Sequence, residues 1–378
     1  DLASGFADVT LTVEKRVDEQ FTLTPGGRYY FDLSAMDIPG TANSNLPDST
    51  LHYVPFTYVG TVNAYSLKNE ADNDTTSYEH SLFIANYNVT HTVSWDALNT
   101  ADLIFGKNYA SGGVGYTLRA PSVGSDSTGW DDSQRGVPQS NEWDTMLNKN
   151  SGYIQNWNKM YLWGQDTFSG STSRRAVRGC YSARYWYDLS ATGSLPGLGF
   201  RPVLEVLNAD TLGSGGLKAV TLDLGGGTLG NSSEDIHIIV KTGSKFTAPA
   251  SDGMTRPDGI SADAQLWWVD ENSNFYKPGD TVPADVSALS AFYGGFGLFL
   301  DRGDGEVEVT PDNYTDIFGD GTASFVLPKG RSLTSLEESA NLTSKDILEI
   351  FSTGKLEGYG CVFPNLKLKN ADLTSVRL

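Results

Sequence analysis

The run RAVRGCYSARYWYDLSATGSLPGLGFRPVL, Arg175–Leu204, carries most of what this chain says about its fold and use. Successive side chains of an extended strand point to opposite faces, so Tyr185 and Tyr187 share one face and Trp186 points the other way, toward a core. Tyr181, Tyr185 and Tyr187 offer large, rigid, amphipathic contact area at small entropic cost, and Asp188 supplies a polar handle. Such a segment suits a binding surface. The competing expectation is that the tyrosines pack a loop-rich core and Asp188 is a solvated charge.

Outward from this run, Gly, Ser, Asn, Asp and Thr punctuate short β-rich stretches such as Val9–Val13 and Tyr29–Leu33, the pattern of an α+β protein dominated by strands. Helices are expected to be few. One begins with Ser140 as N-cap and carries Glu142, Trp143, Met146 and Leu147; a second starts near Ser94 and carries Trp95, Leu98 and Leu103. Ser335–Ser339 and Ser344–Phe351 read as short helical turns. Six of the eight tryptophans (Trp95, Trp130, Trp143, Trp157, Trp163, Trp186) precede Asn208, where large aromatics can anchor a core with little regular structure.

A length of 378 residues exceeds what one core usually supports. The Gly/Ser/Asp stretch Asn208–Gly216 reads as a linker, which places a first domain at 1–209, a second at 210–293 and a β-rich third of no assigned type at 294–378. In the third, Glu306–Thr310 and Ala323–Leu327 alternate as strands do.

The formal net charge of -19, from 46 acidic and 27 basic residues, argues against a nucleic-acid partner, because phosphate binding needs clustered Lys and Arg. No stretch is long and apolar enough for direct membrane insertion, and a start at Asp1 is what a trimmed secreted product would have. Cys180 and Cys361 lie far apart, and His52, His80, His91 and His237 are scattered, so no metal and no cofactor is expected. Asp301–Gly305 and Asp72–Asp74 read as acidic turns, because the further oxygen ligands of a calcium loop are missing. No nucleophile elbow occurs, and Gly225–Thr228 lacks the Lys of a phosphate loop. Among 46 acidic residues a glycosidase-type carboxylate pair stays open. The chain therefore reads as a non-enzymatic binding protein, with a structural adhesin or spacer as the alternative and a glycan-active hydrolase third.

Four motifs follow one another: YTLRAPS at Tyr116–Ser122 joined to NEWD at Asn141–Asp144, YLWG at Tyr161–Gly164, RAVRG at Arg175–Gly179 and GFRPVL at Gly199–Leu204. In this order they resemble the formylglycine-generating-enzyme type of C-type-lectin-like fold, in which a small twisted sheet supports a large, loop-built binding face. The insertion from Val123 to Ser140 departs from the family pattern. The enzyme of that fold uses a pair of copper-binding cysteines late in the domain; here the domain holds Cys180 alone, so the activity does not carry over.

The fold also resembles the variable proteins of diversity-generating retroelements, in which the segment before the final GlyPheArg strand is rewritten by a reverse transcriptase that misreads adenines. On that resemblance Arg178, Gly179, Ser182, Ala183, Arg184 and Trp186 are framework. Tyr181, Tyr185, Tyr187, Asp188, Leu189, Gly193, Leu195 and Gly197 are substituted, ligand-binding positions. Tyr, Asp, Leu, Gly and Cys can each be reached from an asparagine codon by changing adenines only. Lys, Glu, Gln and Met cannot, and none occurs between Cys180 and Gly197.

Beyond the linker, VTLDLGGGT at Val220–Thr228, WWVDENSNFY at Trp267–Tyr276 and PGDTVPAD at Pro278–Asp285 resemble the β-grasp-like repeat of internalin-type bacterial surface proteins. The match covers Leu217–Tyr293 and ends in AlaPheTyr where that repeat usually closes with Trp. Together the resemblances imply an extracellular or cell-surface protein of a Gram-positive bacterium that offers a diversified surface to an extracellular protein or glycan ligand.

Overall fold

The computed structural model describes residues 18–263, 266–294, 298–301, 306–308, 310, 312 and 333–336. Strands hold 39% of the chain and helices 9%, so the protein is β-dominated, and one sheet curls into a half-barrel. The chain packs as two units, Asp1–Ala219 with Ile238–Ser244, and Val220–His237 with Lys245–Leu378.

The first unit is built on two six-stranded sheets. One runs in the order β1 (Arg28–Phe31), β3 (Val54–Ala64), β4 (Tyr78–Ala85), β14 (Val203–Val206), β7 (Val114–Arg119), β6 (Lys107–Ser111). The other runs β12 (Trp186–Ser190), β11 (Arg174–Gly179), β10 (Tyr161–Thr167), β13 (Leu198–Phe200), β5 (Thr90–His91), β2 (Thr41–Ala42). The GFRPVL motif crosses between them: β13 lies in the second sheet, β14 in the first, and Arg201 and Pro202 form the corner.

β3 is apolar on both faces because both are covered. Val54, Phe56 and Tyr58 face one core with Phe31, Phe83 and Trp163, whereas Val59, Val62 and Ala64 face another with Trp143, Met146 and Trp186. The change of parity falls at the register shift between Tyr58 and Gly60. One extra residue in a strand moves every later side chain to the opposite face, and Gly60 takes the positive φ of 80° there.

Two helices cover this framework. α1 (Trp95–Thr100) starts as expected at Ser94, whose Oγ accepts from Ala97 N at 3.1 Å. α2 (Glu142–Lys149) buries Trp143, Met146 and Leu147, but its cap is Asn141 instead of Ser140: Asn141 Oδ1 accepts from Asp144 N at 2.8 Å. The asparagine amide also donates to Pro138 O, so a single side chain closes both the helix and the turn before it. Four tryptophans are buried here with each indole N–H satisfied: Trp95 to Gly164 O, Trp143 to Ala183 O, Trp163 to Val93 O and Trp186 to Gly124 O. Trp130 is the exception to the expected aromatic core, being 98% exposed.

In the second unit, Thr221–Asp223 pairs in parallel with Ala288–Ser290, and the strand Ala288–Tyr293 pairs antiparallel with Leu266–Asp270. Asp270 closes the next hairpin by accepting from Asn272 N, Asn274 N and Tyr276 Oη. Tyr293, where the internalin-type repeat closes with Trp, is buried and donates to Leu224 O at 2.7 Å. Further on, Leu298–Asp301 pairs with Glu306–Glu308 and with Leu333–Leu336. Ser335 thus sits in a ladder opposite Phe299, not in a helical turn, because pairing with a distant strand overrides the local serine signal. Val9–Val13, Ala323–Leu327, positions 337–339 and 344–351, and Cys361 lie outside the described residues. Among the described residues no helix is long and apolar enough to cross a membrane.

Candidate functional site

β12 is an edge strand, and the turn leading into it is pinned on several sides. Gly179 and Cys180 both have positive φ, 96° and 74°. Any Cβ at Gly179 would lie 2.7 Å from Met160 O, so this corner accepts only glycine without a shift. Cys180 N donates to Trp157 O, Lys159 N donates to Cys180 O, and the Trp143 indole holds Ala183 O at 2.7 Å. Arg201, sealed at the corner of the GFRPVL motif, donates to the carbonyls of Gln155 and Asn156 and so fixes the neighbouring loop.

On this base the tyrosines form one cluster around Tyr161, the first residue of β10. Its ring centroid lies 6.4 Å from Tyr181, 6.3 Å from Tyr185 and 6.2 Å from Tyr187. Tyr181 and Tyr185 meet edge to face at 4.9 Å, while Tyr185 and Tyr187 stack at 6.3 Å with a 23° interplanar angle. The expected alternation holds: Tyr185 and Tyr187 share a face and Trp186 is buried on the other. Tyr181 is 62% and Tyr187 39% exposed. Burial first, then Cys180 and the neighbouring phenols, pushes the Tyr161 hydroxyl well above its usual range. Burial also pushes up the Cys180 thiol, partly offset by the hydrogen bond from Tyr161, so the thiol is a poor nucleophile.

The other sequence-selected positions divide. Asp188 lies on the opposite face of β12, where its carboxylate pairs with Arg174 Nε and its carbonyl accepts from Arg174 Nη2. Leu189 packs in part against the core. Leu195 is 55% exposed in the loop before β13. Gly193 closes a turn onto Ser190 O, and Gly197 O accepts the Tyr161 amide at 2.8 Å. Tyr161 belongs to another motif, YLWG, so proximity in sequence does not group it with the other tyrosines, although its i, i+2 spacing puts it on the same strand face as Trp163.

A second group invites a catalytic reading. Arg119 holds Glu142 bidentately at 2.8 and 2.6 Å and reaches Glu205 at 2.7 Å, while His80 Nε2 lies 2.7 Å from Glu142 Oε1. Glu142, Arg119 and His80 are all buried. Burial pushes the Glu142 carboxyl up, but Arg119 and His80 outweigh it and hold the group down at about 2. A general acid needs the opposite shift, so this sealed network acts as a structural clamp between β4, β7 and α2. The Asp72–Asp74 turn commits its carboxylates to its own backbone, accepting from Lys68, Asp74 and Thr76 amides.

Comparison of the chain with protein-family models, with curated proteins and with solved structures found no match. The functional reading therefore rests on the geometry of the tyrosine cluster.

Proposed function

We propose that this chain is a non-enzymatic, extracellular or cell-surface binding protein. In this reading the first unit presents the tyrosine face as an exchangeable surface for an extracellular protein or glycan, and the second serves as a spacer or adhesive module on a Gram-positive cell. The observation that supports it is a division of labour within Arg178–Gly197. Each framework position has a structural role. Arg178 is sealed against Asp144, Gly179 turns the corner, Ser182 donates to Asp132 O, Ala183 O takes the Trp143 indole, Arg184 bonds Asn148, and Trp186 is buried. Among the positions read as substituted, Tyr181, Tyr187 and Leu195 are instead large side chains exposed to water, whereas Asp188 and Leu189 pair or pack within the fold. Exposed aromatics held on a rigid frame bind at low entropic cost.

A printed array of peptides and glycans, probed with the wild-type chain and with the Tyr185→Ala/Tyr187→Ala variant, tests this. The reading expects defined hits from the wild type that the variant loses while its melting temperature stays within a few degrees. Hits that survive the double substitution, or a collapse of the melting temperature, would show the rings to be packing groups.

A further inference from the structure

Trp130, two residues before Asp132 in the chain, is a large exposed side chain that the core does not account for. The insertion after β7 forms a hairpin, β8 (Asp126–Ser127) paired with β9 (Gly136–Val137), and Trp130 lies in its tip. The base of the hairpin is fixed on the face opposite the rings, where the Trp186 indole donates to Gly124 O and Arg178 to Val123 O, and its tip is tied to the tyrosine turn, where Ser182 Oγ donates to Asp132 O. Its tip is shaped by Asp131, whose carboxylate accepts from Ser133 N at 2.8 Å and Ser133 Oγ at 2.6 Å. Tryptophan, here 98% exposed in a shaped loop, is among the residue types enriched at the energetic centres of interfaces.

Charge decides what such an anchor takes. The Asp132 side chain is exposed at the hairpin tip, close enough to Tyr185 to add to the upward push that burial and the other tyrosines exert on its phenol. The arginines nearby are turned elsewhere: Arg184 bonds Asn148 and pairs with the sealed Asp144 at 3.5 Å, and Arg174 pairs with Asp188 on the far face of β12. Two cations work against this: exposed Lys159, which adjoins the cluster through its backbone bond to Cys180, and half-exposed Arg135 on the hairpin itself, whose guanidinium donates to Gln139 Oε1 and lies close enough to Arg184 to depress its pKa. We infer that the hairpin tip and the tyrosine cluster form one continuous face, and that it takes a Lys- or Arg-bearing segment of a protein partner, the cation lying over the Tyr185 or Trp130 ring with Asp132 beside it. This rests on the tyrosine face being the binding surface. Aromatic faces attract cations electrostatically, and the carboxylate adds a directed partner.

The experiment titrates the full chain calorimetrically with three peptides of equal length, rich in Lys, in Glu or in Ser. The Lys-rich peptide should bind tightest. Trp130→Ala, which changes no charge, should weaken it about fivefold or more, on the scale of a partly exposed cation–π contact. Asp132→Asn should weaken it while Glu234→Gln, an equal change in net charge on the second unit, should not; Lys159→Ala should strengthen it. Lys-rich binding that ignores Trp130→Ala would reflect only the overall charge of -19 and would overturn the inference, as would equal binding of the Glu-rich peptide. If array hits depend on Tyr185 and Tyr187 but favour acidic or neutral probes, the binding function stands and this choice of partner falls.

Discussion

Arg178 on β11 and Asp144 on α2 form a fully sealed ion pair, with Nη2 and Oδ1 2.6 Å apart, on the face of the sheet opposite the tyrosine rings. Asp144 also accepts from Gly136 N and Asn141 Nδ2, so one carboxylate joins the sheet, the helix start and the inserted hairpin. Removing one partner leaves an uncompensated buried charge, which costs about 3–5 kcal/mol. Arg178→Met should therefore lower the melting transition of the first unit by roughly 10 °C, and Arg178→Met/Asp144→Leu should recover part of that loss. A double variant no better than the single one would mean that the remaining bonds to Asp144 outweigh the charge pair.

Acid should unlock the first unit through Glu142. Its carboxyl sits at about 2 in the folded chain, below the ordinary 4.5, so its stabilisation is fully present above pH 4.5 and is lost as pH falls toward 2. The difference corresponds to about 3 kcal/mol. Asp166, raised chiefly by burial, has the opposite sign: its folded form holds the proton more tightly, so it favours folding at low pH and less so as pH rises. Near-UV circular dichroism followed from pH 6 to pH 2 should show a steep loss in the wild type and a shallower one in Glu142→Gln, which starts from lower stability.

Gly179 and Gly129 offer a matched pair of glycine tests near the site. A Cβ at Gly179 meets Met160 O at 2.7 Å on a backbone with φ of 96°, whereas a Cβ at Gly129 meets nothing within 4 Å. Gly179→Ala should cost about 1–3 kcal/mol and Gly129→Ala almost nothing, read as melting temperatures under one buffer.

The helix cap separates two adjacent residues. Asn141→Ala should lose about 1 kcal/mol through the Asp144 amide alone, and more through the Pro138 and Asp144 side-chain bonds, while Ser140→Ala should stay within about 0.5 kcal/mol in thermal melts.

Local patterns made much of this legible, and long-range pairing hid the rest. The alternation of Tyr185, Trp186 and Tyr187 is a property of any extended chain, and the Trp143, Met146 and Leu147 stripe follows from helical spacing, so both can be read without the fold. The parity switch at Gly60 depends on a bulge, and the meeting of Tyr161 with Tyr187 depends on the register of β11 with both its neighbours, Tyr161 opposite Gly179 and Tyr187 opposite Val177. Neither has a local signature. Proximity in sequence groups Asp188 with the tyrosines, yet adjacency in a strand means opposite faces. Trp130 does carry a signal: flanked by Gly129, Asp131 and Asp132, it has no apolar neighbour in the chain to share a core with.

Tyr161 and Cys180 give the last and most local prediction. The thiolate is the reactive form of cysteine, burial disfavours it, and the phenol of Tyr161 is the group that restores some of it by hydrogen bonding to the sulfur. Tyr161→Phe keeps the ring and its contacts with Tyr181, Tyr185 and Tyr187 but deletes that donor. Alkylation of Cys180 by iodoacetamide at about pH 8, followed by peptide mass spectrometry, should then be slower in Tyr161→Phe than in the wild type. Tyr161→Ala should instead be faster, because opening the centre of the cluster admits water and reagent to the sulfur. If both variants react at the wild-type rate, Tyr161 does not control the environment of Cys180, and the ring cluster is looser in solution than its 6.2–6.4 Å spacings imply.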